Sequence, residues 1–122
     1  MQNVAFAVPI LPGKTEADRV ALESCANGER SAAYRASRER LGISREAVWH
    51  QKTPAGDFAV VYLEADDLQA VMAGIATSSE PFDVWFREFN VEIHGIDLAS
   101  GSVAPDLCLD YRARVVASSV GA

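Results

Sequence analysis

Residues 45–67 read REAVWHQKTPAGDFAVVYLEADD, and this stretch decides the fold. Val48 and Trp49 are adjacent, and Phe58, Ala59, Val60, Val61, Tyr62 and Leu63 follow one another. Successive strand residues point to opposite faces of a sheet. A hairpin with one wet face therefore alternates apolar and polar residues, and this one does not. The pattern predicts strands over 46–52 and 58–64 joined by Pro54-Ala55-Gly56-Asp57, in a sheet that needs cover on both sides.

Working outward, residues 3–10 read as a first strand, with Val4, Phe6 and Val8 on one face and Ala5 and Ala7 on the other; Pro9, Pro12 and Gly13 end it. Thr15 is placed to cap a helix, with Glu16 and Asp18 in the first turn, where negative charge suits the helix dipole. Ala17, Val20, Ala21 and Ser24 recur at helical spacing, and Asn27-Gly28 stops or kinks the run. A second helical piece over 29–41 carries a stripe of Ala32, Ala33, Ala36 and Ser37, small enough to approach a sheet, with Arg35, Arg38 and Arg40 on its solvated side. Asp66 or Asp67 caps a further helix striped with Leu68, Val71, Met72 and Ile75. Ser78-Ser79-Glu80-Pro81 breaks it and starts another, to about His94, since proline is tolerated in a first turn. Phe82, Trp85, Phe86, Phe89 and Ile93 form its apolar stripe, and Asp83, Arg87, Glu88 and Glu92 its polar side. Residues 99–106 are a loop by composition, 107–112 suit a short fourth strand, and 118–122 read as a frayed tail.

The element order is strand, helix, strand, strand, helix, strand. This is an α+β chain with the split βαβ, ferredoxin-like arrangement βαββαβ. The handedness rule puts the helices on one face of a four-stranded antiparallel sheet. Residues 1–122 form a single domain, with a tail from about 117. The sheet's other face is too apolar to be left in water. A second copy packed face to face covers it, giving a barrel-like homodimer with two-fold symmetry.

TPAGDFAVVYLEADDL (53–68), SSEPFDVWFRE (78–88) and HGIDL (94–98) resemble a family of small bacterial proteins in the dimeric α+β-barrel superfamily. The resemblance runs from Asn3 to Arg112 and implies that fold and a homodimer. The wider superfamily includes cofactor-independent monooxygenases, lactone isomerases, haem-binding decomposers of chlorite and effector-sensing regulatory modules. Membership alone therefore implies no single activity.

The bulk composition excludes several classes. With 49% apolar residues the 122-residue chain has the means to build a core. Eleven basic and 17 acidic residues leave a net charge of −6 and no basic stripe for phosphate backbones, so nucleic acid is not an expected partner. No run of about 20 apolar residues offers a membrane span. MQNVAFAVPILPGK lacks a basic n-region and is broken by Pro9, so it does not read as a signal peptide. A cytoplasmic protein is the expectation. The two cysteines, Cys25 and Cys108, lack CxxC pairing and read as buried free thiols.

Register decides which hairpin side chains meet. An even-length turn sets Thr53 against Phe58 and puts Trp49, Gln51, Phe58, Val60, Tyr62 and Glu64 on one face. Val48, His50, Ala59, Val61 and Leu63 take the other; an odd turn moves His50 to the first set. The first set has aromatic walls and polar tips, which suits a cleft. Trp49, Gln51, Tyr62 and Glu64 are thus the candidate ligand-binding residues. Glu64 and His50 are the candidate catalytic ones, Glu64 as a carboxylate base in dry surroundings and His50 as a proton shuttle or axial haem ligand. Each also has a plain reading, as a strand-end carboxylate reaching water and a strand-edge imidazole. His94 is accounted for by the helix dipole. The histidines and cysteines show no metal-ligand spacing, and no metal or cofactor is expected. The leading function is a homodimer binding a small apolar or aromatic molecule in a sheet-lined or helix–sheet cleft. The alternatives are a cofactor-independent monooxygenase or isomerase acting on an activated aromatic, and a non-catalytic structural or regulatory module.

Overall fold

The computed structural model describes residues 1–101 and 104–114. Three antiparallel strands, β1 (Gln2–Pro9), β2 (Ile43–Thr53) and β3 (Gly56–Ala65), form one sheet in the order β1-β3-β2. Four helices accompany it: α1 (Thr15–Ala26), α2 (Ser31–Leu41), α3 (Leu68–Thr77) and α4 (Pro81–His94). A single 3-10 turn follows at Leu98–Ser100. No helix among the described residues is long and apolar enough to cross a membrane.

The expected division of the hairpin into two faces holds, but its pairing is shifted by two residues. Gln51 lies opposite Phe58, Trp49 opposite Val60 and His50 opposite Ala59. The strands run into the predicted turn and leave only Pro54-Ala55 as the loop, with Thr53 opposite Gly56. The Thr53 hydroxyl donates to the Gly56 carbonyl at 2.7 Å and accepts from the Ala55 amide at 3.1 Å. Gly56 has φ +128°, a region favouring a residue without Cβ. A slip of two keeps every side chain on its own face.

Val4, Phe6 and Val8 of β1 pair with Leu63, Val61 and Ala59 of β3. This face meets the helices. Ile10, Ala21, Ala59, Phe89 and Ile93 form one buried cluster, with Val8, Val48 and Trp85 against it. Ala65, Val71 and Ile75 form a second, with Leu41, Ile43, Met72 and Phe86 around it. On the opposite face Ala5 and Ala7 are exposed and Trp49 is 55% exposed.

Several local expectations are corrected. Lys14, not Thr15, holds the N-cap position of α1. The Thr15 hydroxyl instead donates to Asp57 Oδ2 at 2.6 Å, tying α1 to the start of β3. The buried side of α1 is Asp18, Ala21 and Cys25, whereas Val20 is exposed. In α2 Ser37 is buried and Arg35 and Arg40 are exposed as expected, but Ala32, Ala33 and Ala36 face water and Arg38 is buried. Asp83 of α4 is buried too, bonded by the hydroxyls of Ser37 and Ser78 and by Arg40. Asp67 does cap α3, accepting from the Ala70 amide at 3.1 Å.

Residues 107–112 are not a fourth strand of this sheet. They run without strand pairing, and Leu107, Leu109 and Tyr111 are 80%, 84% and 82% exposed. Cys25 is a buried free thiol as expected, but Cys108, on this arm, is exposed. The expected tail, from about residue 117, lies outside the described residues.

Candidate functional site

Between the helix-facing side of the sheet and the helices lies a cavity of about 530 Å³. That is within the range of small-molecule sites. Its floor is Val4, Phe6, Val8, Val48, Val61 and Leu63, and its roof includes Leu68, Met72, Phe86 and Phe89. Ala104 and Pro105 stand at its rim. Val4, Phe6 and Val8 of β1 are only partly buried.

Besides Gln69 and Asn90, two clusters of ionisable side chains interrupt this apolar lining. The first gathers around Asp18, 1% exposed on the inner side of α1. His50, on β2, donates from Nε2 to Asp18 Oδ2 at 2.6 Å. His94, the last residue of α4, is held from its other side: Nδ1 lies 2.9 Å from the Pro9 carbonyl, which can only accept. That places a proton on Nδ1, so Nε2 is the nitrogen that accepts whenever the ring carries a single proton. Nε2 stands 3.8 Å from Asp18 Oδ1, too far for a direct hydrogen bond. Asp18 and His94 both line the cavity. The cluster thus presents acceptors at the end of a dry space, and suits a ligand that brings a donor.

The second group is Arg38 and Glu46. Arg38 Nε bonds Glu46 Oε1 at 2.8 Å, and the Tyr34 hydroxyl donates to the same oxygen at 2.6 Å. The guanidinium lies 4.6 Å from the Phe86 ring centroid and 4.9 Å from that of Tyr34, in cation–π range. Burial opposes the charge on Arg38, but Glu46 outweighs it and the proton is held more tightly than usual. Burial, then the Glu46 carboxylate, raises the Tyr34 hydroxyl well above its ordinary value. These groups are engaged with one another and clamp α2 to β2.

The predicted site residues divide between the two faces. Trp49, Gln51, Tyr62 and Glu64 lie together on the open face, away from the cavity. There the Tyr62 hydroxyl donates to Glu64 Oε2 at 2.6 Å, and that bond raises Tyr62 above its usual range. His50 lies on the helix-facing side, as the even register places it, and joins Asp18. Asp18 and His94 are the residues that reading by sequence missed. One signal was present: Asp18, Ala21, Leu22 and Cys25 fall at i, i+3, i+4 and i+7, which sets the aspartate in an apolar stripe. Among the described residues no group of three His, Cys, Asp or Glu side chains could hold a metal ion.

Comparison of the chain with protein families, with curated proteins and with solved structures gave no match.

Proposed function

We propose that this chain is a homodimeric small-molecule-binding protein. Its ligand is largely apolar or aromatic, carries a hydrogen-bond donor, and occupies the cavity between sheet and helices. The observation that carries this reading is the 530 Å³, mostly apolar space lined at one place by the neighbouring Asp18 and His94. A ring or short chain buries its apolar surface against Phe6, Phe86 and Phe89 while its donor meets His94 Nε2. The open face, with Trp49, Tyr62, Val60 and Ala47, belongs to a second copy, so the dimer keeps the barrel-like arrangement that the resemblance implies.

The neutral dye N-phenyl-1-naphthylamine tests the cavity. Val61→Phe, which fills the space from the floor, should weaken dye binding about tenfold or more, whereas Gln51→Ala on the open face should leave the affinity per chain unchanged. The opposite pattern would move the site to Trp49, Gln51, Tyr62 and Glu64.

The Asp18–His94 arrangement also favours a second reading, in which the cavity removes a proton from an activated aromatic. His94 Nε2 takes the proton and Asp18 faces the imidazolium that results, while His50 holds Asp18 in place. Isomerisation or cofactor-independent oxygenation starts from such a carbanion. His94→Gln should then abolish turnover of an activated hydroxy-aromatic while dye binding persists; turnover unaffected by the substitution would remove this reading.

A further inference from the structure

The two edges of the sheet differ in chemistry. β2, the other edge strand, carries the exposed charges Arg45 and Lys52. Charged residues of this kind discourage pairing with another strand. β1 reads QNVAFAVP and carries no charge over its eight residues. Among the described residues no strand pairs with its outer side. A neutral, largely apolar edge of that length is a template for strand addition.

The same chain carries a segment with the form of the missing strand. Residues 107–112, LCLDYR, alternate apolar Leu107, Leu109 and Tyr111 with Cys108, Asp110 and Arg112. All six side chains are exposed and the segment is unpaired. Three large apolar side chains, each at least 80% exposed, are not stable as a free arm. Six residues in extended form span about 20 Å, enough to cover most of β1.

We propose that Leu107–Arg112 of one copy adds as a fourth strand to the β1 edge of a second copy, and that the exchange is reciprocal. Leu107, Leu109 and Tyr111 continue the row of Val4, Phe6 and Val8 and close the open flank of the partner's cavity. Cys108, Asp110 and Arg112 continue the row of Asn3, Ala5 and Ala7. Each copy thereby completes the other's sheet and wall. The proposal specifies the homodimer above and is independent of what the cavity binds.

Cys108 supplies the test, because Cys25 is buried. Asn3→Cys, Ala5→Cys and Ala7→Cys are introduced singly into the full chain, which is then oxidised with diamide. Facing residues of paired strands bring their Cβ atoms to about 5 Å, within reach of a disulfide after slight adjustment. At least one variant should yield a covalent dimer whose peptide map joins Cys108 of one chain to the introduced cysteine of the other, and Phe6→Cys, on the helix-facing side, should not form that bond. A cross-linked monomer would mean that the arm folds onto its own β1, and would overturn the exchange. So would the absence of any cross-link in a protein that still sediments as a dimer, which leaves the face-packed dimer standing. The unmodified protein provides a measurement free of folding defects. Amides of Leu107–Arg112 should exchange on the order of 100-fold more slowly than in an unstructured chain, and lose that protection on dilution to monomer. Exchange at the unstructured rate in the dimer would overturn the proposal.

Discussion

At the scale of single residues, charge inside the protein follows partners rather than propensity. Asp83 was placed on the polar side of α4 by its type, yet it is 3% exposed and accepts from Ser37, Ser78 and Arg40. Burial alone would raise its pKa; these three donors outweigh burial and hold it below the usual carboxylate value. A carboxylate depressed in the folded state contributes stability above its unfolded pKa of about 4 and loses it as pH falls through the lower folded value. Urea unfolding from pH 7 down to pH 2.5 should therefore show an acid limb that Asp83→Asn flattens. An unchanged limb would assign the acid sensitivity elsewhere. Asp18 and His94 escaped the sequence for a related reason. Each has an adequate local explanation in the helix dipole, and only tertiary structure brings them together.

Elements were legible where one periodicity dominates. Facial assignment of the hairpin survived a pairing error of two residues, because parity is all that decides it. The error came from the turn: the Thr53 hydroxyl and Gly56 tighten it beyond the four residues that composition suggested. α2 was legible as a helix but not in its orientation. Its alanines offered a plausible inner stripe, and nothing local shows that Arg38 reaches Glu46 beneath the Tyr34, Phe82 and Phe86 rings. Removing one member of such a buried pair strands the other. Arg38→Met or Glu46→Leu alone should cost about 3–5 kcal/mol, and the double variant distinctly less than the sum. A double-mutant cycle by chemical denaturation checks this; additive costs would show that the pair is not energetically coupled.

For the whole molecule, the α+β class and the helix-covered sheet were readable from element order. The fourth strand expected over 107–112 is not part of this sheet, since an alternating pattern marks a segment fit for a strand without supplying the partner its backbone needs. The open face makes its own prediction. Trp49 is large, lies near the middle of β2 on that face and is 55% exposed. In the proposed dimer Trp49→Asp should weaken association about 30-fold or more, as loss of a buried aromatic anchor does. Sedimentation equilibrium measures it, and an unaltered dimer would displace Trp49 from the contact.

The order of the strands also sets a timetable. β3 meets β2 through a two-residue loop, but its other neighbour, β1, is made before two helices intervene. Loop-closure entropy favours the short connection first, so the hairpin should nucleate and β1 should dock late. Val61→Ala and Val4→Ala each remove part of a side chain, at a cost of roughly 0.5–3 kcal/mol. In stopped-flow chevrons the first should chiefly slow refolding and the second chiefly hasten unfolding. Until its final step the chain therefore holds a half-built sheet whose central strand is still vacant on one side, and it is during that interval, rather than in the native state, that misassociation is most favoured.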